Sequence, residues 1–159
     1  MNRAFKRTLQ VTLAAAVVAG LNVGLLSTSA SAAGNTWIRG SKSGRCLEAN
    51  NNADKVWAAP CDWGKGAQLW SRVGSQIKRA YTNQCLDSDF NGDVYWMECN
   101  GGDYQKWEYR DAGNGYFLVS SWITGKALQY RPIQGADDVY TQASLDESAD
   151  YAWRFADGE

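Results

Sequence analysis

The stretch Thr82–Trp107 reads TNQCLDSDFNGDVYWMECNGGDYQKW, and the fold turns on how it is read. From Asp87 it satisfies the spacing of a calcium-binding EF-hand loop: Asp87, Asp89, Asn91, Gly92, Asp93 and Glu98 stand at the required places. Such a loop must sit between two helices. Here DVYWMEC is rich in β-favouring residues, and cysteines bound the segment on both sides. The match therefore divides into unrelated parts. Asp87 completes a Cys-Leu-Asp unit, SDFNGD is a polar hairpin turn with Asn91-Gly92 supplying positive φ, and Glu98 precedes the second cysteine. No metal site and no cofactor is expected, while chance calcium binding by Asp87, Asp89 and Asp93 is left to measurement.

Working outward, the same stretch has two relatives in the chain. TNQCLDS at Thr82–Ser88 is matched by SGRCLEA at Ser43–Ala49 and by TGKALQY at Thr124–Tyr130. Each copy continues to a Val-aromatic pair: Val56-Trp57, Val94-Tyr95 and Val139-Tyr140. Each then ends on Gln-x-Trp or its remnant, at Trp70, Trp107 and Trp153. The repeats run over about 34–73, 74–114 and 115–157. Cys46 and Cys61 bracket the first repeat as Cys85 and Cys99 bracket the second, and both places are lost together in the third, to Ala127 and Ser144 give or take one residue. Joint loss is what pairing predicts, so Cys46–Cys61 and Cys85–Cys99 are the expected disulfides. Each closes a loop worth about 3 kcal/mol in the chain-entropy model. Short β-rich runs separated by Gly, Asn and Asp, with no sustained helical period, predict an all-β domain.

The N-terminus reads differently. Arg3, Lys6 and Arg7 precede an apolar stretch from Val11 to Leu26 that ends on Ala30-Ser31-Ala32. This is the pattern of a secretory signal peptide over 1–32, with the domain occupying 33–159. Taking those three from the 16 basic residues leaves 13 against 17 acidic ones, a net charge of −4. That balance opposes nucleic-acid binding and electrostatic attachment to a membrane. An even cysteine count in an exported chain agrees with disulfides and a secreted, extracellular location. The absence of histidine removes His-based hydrolase triads and the usual zinc sites.

Three repeats of about 40 residues, carrying Cys46-Leu47, Cys85-Leu86, Gln68-Leu69-Trp70 and Gln105-Lys106-Trp107, resemble the ricin-type β-trefoil lectin family from about Trp37 to Phe155. The resemblance implies a β-trefoil with a sugar site in each repeat, built from an Asp after Cys-Leu, an aromatic before the second Cys, an Asn, and the Gln of Gln-x-Trp. Repeat two supplies Asp87 and Gln105 but places Met97 and Tyr104 at the other two positions, with Tyr95 or Trp96 as a substitute aromatic. Alternation points Trp96 to the core. Repeat one has Glu48, Ala59, Ala67 and Gln68, and repeat three has Gln129, Gln142, Asp150 and Tyr151.

The carbohydrate-binding set is therefore Asp87, Tyr95, Met97, Tyr104 and Gln105. Against it stands a structural reading in which Gln68 and Gln105 brace backbone, the three repeat-end Trp residues fill the core, and Asp87 caps a turn. Trp57, Trp63, Trp122 and Tyr130 have no place in the repeat core and read as an exposed platform for a glycan or a protein. A non-catalytic secreted module that binds a glycan is the leading reading. A protein-binding adaptor or subunit of a secreted toxin or inhibitor assembly is the alternative. Asp87 and Asp89, two apart in a turn, are a poor acid/base pair, so no enzyme is expected.

Overall fold

The computed structural model describes residues 34–132 and 139–156; the proposed leader lies outside them. Strands β1 (Trp37–Gly40), β2 (Cys46–Ala49), β3 (Val56–Ala59) and β4 (Trp70–Val73) form the first repeat. The second holds β5 (Gln76–Arg79), β6 (Gln84–Ser88), β7 (Val94–Glu98) and β8 (Trp107–Gly113). The third holds β9 (Tyr116–Ser121), β10 (Ala127–Tyr130), β11 (Val139–Gln142) and β12 (Trp153–Ala156). Helical structure among the described residues amounts to two 3₁₀ turns, Gly66–Gln68 and Asp103–Gln105, and no helix there is long and apolar enough to cross a membrane.

Six strands close a barrel, and the tryptophans stand at its seams. Trp70 exchanges backbone bonds with Thr36, the amide of Trp107 donates to Ser75, and Trp153 pairs with Phe117. Antiparallel pairing of β1 with β12 joins the two ends of the domain. The hairpins β2–β3, β6–β7 and β10–β11 cap one end, linked by bridges Lys55–Tyr95 and Asp93–Tyr140. This is the β-trefoil that the family resemblance implied.

The core is written in threes. Ile38, Ile77 and Val119 form one layer; Leu47, Leu86 and Leu128 another; Val56, Val94 and Val139 a third, all buried. Trp70, Trp107 and Trp153 are buried too, and each indole Nε1 donates at 2.9–3.0 Å to the carbonyl of the leucine in its own repeat. A buried indole needs such a partner, so every repeat ties its last residue to its Cys-Leu position. Each repeat alone would leave one side of these layers wet. Tyr130 belongs to this core, fully buried, which corrects its reading as a platform residue.

Both disulfides form as expected, Cys46–Cys61 and Cys85–Cys99. Pro60 and Pro132 follow β3 and β10, outside the ladders. The turn after β6 departs from expectation in one respect. Gly92 alone takes positive φ, at 109°, and Asn91 does not. The turn is held instead by Asp89, whose carboxylate accepts the amides of Gly92 and Asp93 at 2.8 and 2.9 Å. A side chain on Gly92 would also collide with the carbonyl of Thr141, 2.4 Å from where its Cβ would lie.

Candidate functional site

Strand register places a polar residue opposite an aromatic at the same point of each hairpin: Glu48 opposite Trp57, Asp87 opposite Tyr95, and Gln129 opposite Tyr140. These pairs lie on the face away from Leu47, Leu86 and Leu128, because strand side chains alternate. Beneath each pair a side-chain amide cradles the backbone around the second cysteine. Gln68 Oε1 accepts the amide of Asp62 at 2.7 Å while its Nε2 donates to Pro60 O at 2.9 Å. Gln105 repeats this with Asn100 at 2.8 Å and Glu98 at 3.0 Å. Both Gln side chains are buried and brace backbone, as the structural reading held.

Repeat three makes the same cradle from the opposite strand. Tyr151 occupies the Gln-x-Trp glutamine position, and Gln129, at the position of Asp87, turns inward instead. Its Oε1 accepts the Asp146 amide at 3.0 Å and its Nε2 donates to Ser144 O at 2.8 Å. The central residue of this cradle is Leu145, where the other repeats have Cys61 and Cys99, so the hydrogen bonds put the lost cysteine one residue beyond Ser144. With its amide spent, Gln129 leaves the Tyr140 hydroxyl buried and without a partner among the described residues.

Repeat one also satisfies its polar residue internally. Glu48 accepts Gln68 Nε2 at 2.6 Å and Lys65 Nζ at 3.4 Å. Repeat two does not. Asp87 is one methylene shorter and 3% exposed, stands opposite Tyr95 across the hairpin, and keeps Oδ1 without a partner among the described residues. Burial raises its pKa above the usual 3.8, partly offset by the polar groups of Tyr95 and Gln105, with the Asp89 charge adding to the rise. Tyr95 is pushed up to about 12, by burial first and then by the neighbouring Asp87.

Of the residues predicted for the site, Tyr95 stands opposite Asp87 across the hairpin, and Gln105 is near enough to act on the Asp87 carboxyl. Met97, opposite Cys85, and Tyr104, in the 3₁₀ turn before β8, are exposed beside them. Gln105 is buried and bound to the Asn100 and Glu98 backbone rather than facing solvent. Trp96 packs against the core and donates to Asn50 O at 3.0 Å, as alternation predicted. No group of three or more Cys, Asp or Glu among the described residues could hold a metal ion.

A sequence model of the ricin-type β-trefoil lectin domain matches residues 34–153. The chain belongs to that family. Solved structures agree on the fold. The designed threefold-symmetric protein ThreeFoil is 22% identical, covering 77% of this chain and 98% of that one, with a TM-score of 0.66. The hemolytic lectin CEL-III is 22% identical over 80% of this chain and 31% of that one, at 0.68. SeviL, in complex with the asialo-GM1 saccharide, is 13% identical over 77% and 95%, at 0.61. Within this ricin-type domain, Asp150 stands where the sugar-site Asn would be. It serves structure: its carboxylate accepts the amides of Lys42 and Ser43 and the Ser43 hydroxyl, fastening the β1–β2 turn to the last repeat.

Proposed function

We propose that this domain is a secreted, non-catalytic glycan-binding module whose working site is repeat two. One observation carries the reading. Asp87 is the member of its threefold set with a carboxylate oxygen left without a partner among the described residues, while Glu48 and Gln129 spend their polar atoms on the protein. A buried acceptor without a donor is costly unless a ligand supplies one. Sugar hydroxyls are donors of the right kind, and Tyr95 and Tyr104 offer ring surface to the apolar C–H face of a pyranose. Gln105 is buried beneath the hairpin, and Met97 borders the site. Residues 1–32 act as the export signal in this reading, and the two disulfides suit an oxidising destination.

A glycan array probed with the wild-type domain, followed by titration of the best hit, tests the proposal. Binding is expected for the wild type and at least tenfold weaker for Asp87→Asn, which keeps shape and removes charge. Silence across the array, with a protein recovered by the immobilised domain from culture medium, would replace it with the adaptor reading.

A further inference from the structure

Three residues occupy equivalent places on the turn that enters each Cys-Leu strand. The backbone amides of Ser41, Ala80 and Trp122 donate to Ala152, Leu69 and Lys106, the residues just before the three barrel tryptophans, at 2.8–3.0 Å. Any residue can make that bond, and at the second place Ala80 makes it while 6% exposed. Trp122 is 57% exposed, so its indole contributes little to the core. The one large side chain of this set therefore stands on the turn anchored to Lys106, the residue after Gln105, beside the repeat whose carboxylate is open.

The other end of the same turn reaches the second loop of that repeat. Lys126 donates to the carbonyl of Phe90 at 2.6 Å and lies 5.5 Å from its ring centre. Phe90 is three residues from Asp87 and 71% exposed. The 122–126 turn of repeat three thus spans both loops that flank Asp87 and Tyr95, and presents Trp122 and Ile123 to solvent. Exposed aromatics on the loops that flank a candidate site mark a binding surface.

We infer that the repeat-two site extends across the repeat boundary onto Trp122, and that its ligand is a neutral oligosaccharide of two or more residues. This rests on the glycan reading of Asp87: the terminal sugar takes the carboxylate and the next stacks on the indole. Charge favours the neutral class: the Asp87 and Asp89 carboxylates would repel a carboxylated or sulfated sugar, and Lys106, beside Trp122, is paired with Asp103 at 2.7 Å.

The test uses an array of matched sets, each holding a monosaccharide, its neutral di- to tetrasaccharides, and their sialylated or sulfated forms, with titration of the strongest set. The wild type is expected to prefer the neutral oligosaccharide. Trp122→Ala is expected to weaken the oligosaccharide about fivefold to tenfold, as loss of one stacked face implies, and the monosaccharide less than twofold. Trp122→Phe should recover part of the loss. A Trp122→Ala variant that leaves the oligosaccharide-to-monosaccharide ratio unchanged, while Asp87→Asn still abolishes binding, would overturn the extension alone. Preference for the acidic forms would overturn the neutral assignment. Binding indifferent to Asp87→Asn would remove the underlying site as well.

Discussion

Repeats one and two of this domain share a disulfide, a braced 3₁₀ turn and a buried Gln, yet differ at one side chain in a way that decides what each can do. Glu48 reaches Gln68 and Lys65 and is internally satisfied. Asp87, shorter by a methylene and opposite Tyr95, leaves Oδ1 unpartnered among the described residues. The fold is indifferent to the exchange because the cradle runs through the glutamine amide and backbone, not through the carboxylate. Repeat three extends the lesson: with no disulfide and no Gln at the usual place, it rebuilds the cradle from Gln129. Backbone geometry is what the three repeats share, and side-chain chemistry at the polar position is free to vary.

The disulfides offer the largest test of that view. Replacing Cys85 and Cys99 together by alanine is expected to cost about 3 kcal/mol in urea denaturation. Repeat three does without such a bond, so the variant should still fold, and a chain that fails to fold would show that the cradle cannot hold a repeat alone. Next comes Gln129→Ala, which strands the Asp146 amide and the Ser144 carbonyl. A loss of about 2 kcal/mol is expected in the same measurement. An effect near zero would mean that the Gln129 hydrogen bonds are not what holds repeat three.

Asp87→Glu then attempts to turn repeat two into repeat one. Its longer carboxylate should reach the Gln105 amide and close the opening, with glycan affinity falling tenfold or more by titration calorimetry and stability changing by about 1 kcal/mol at most. Retained affinity would break the proposed link between carboxylate length and an open site. The smallest effect concerns pH. A folded pKa raised above 3.8 means that the folded state holds the Asp87 proton more tightly than the unfolded chain does. Asp87 is then neutral to stability below its unfolded value, and its penalty grows as pH rises through the folded value. Asp87→Asn should therefore gain on the wild type as pH is raised from 3 to 6 in thermal unfolding. A gap that stays flat or narrows would contradict the burial of an unneutralised carboxylate.

The same contrast separates what was legible in residues 34–156 from what was not. Cys85-Leu86-Asp87, the Val-aromatic pairs and Gln-x-Trp recur at regular spacing, and spacing along a chain survives in a sequence. That is why the trefoil, both disulfides, the core tryptophans and the bracing role of Gln68 and Gln105 could be read directly. The bracing role of Gln129 was not legible because the cradle is defined by an amide in space, and that amide enters from β10 instead of the 3₁₀ turn. Asn91 was assigned positive φ from its dipeptide, whereas the Asp89 carboxylate sets the turn. Trp122 stood out in the sequence as an aromatic outside the repeat core, but its place beside repeat two depends on backbone contacts between repeats.

Alone, the sequence determined the threefold repeat, its closure by cysteine pairs and the layers of the core, since those follow from periodicity and covalent chemistry. Only the tertiary structure decided which of three polar positions is open and which neighbour borders it. That outcome depends on a methylene of reach between Glu48 and Asp87, and on contacts between repeats far apart in the chain, where the turn carrying Trp122 meets the loops around Asp87.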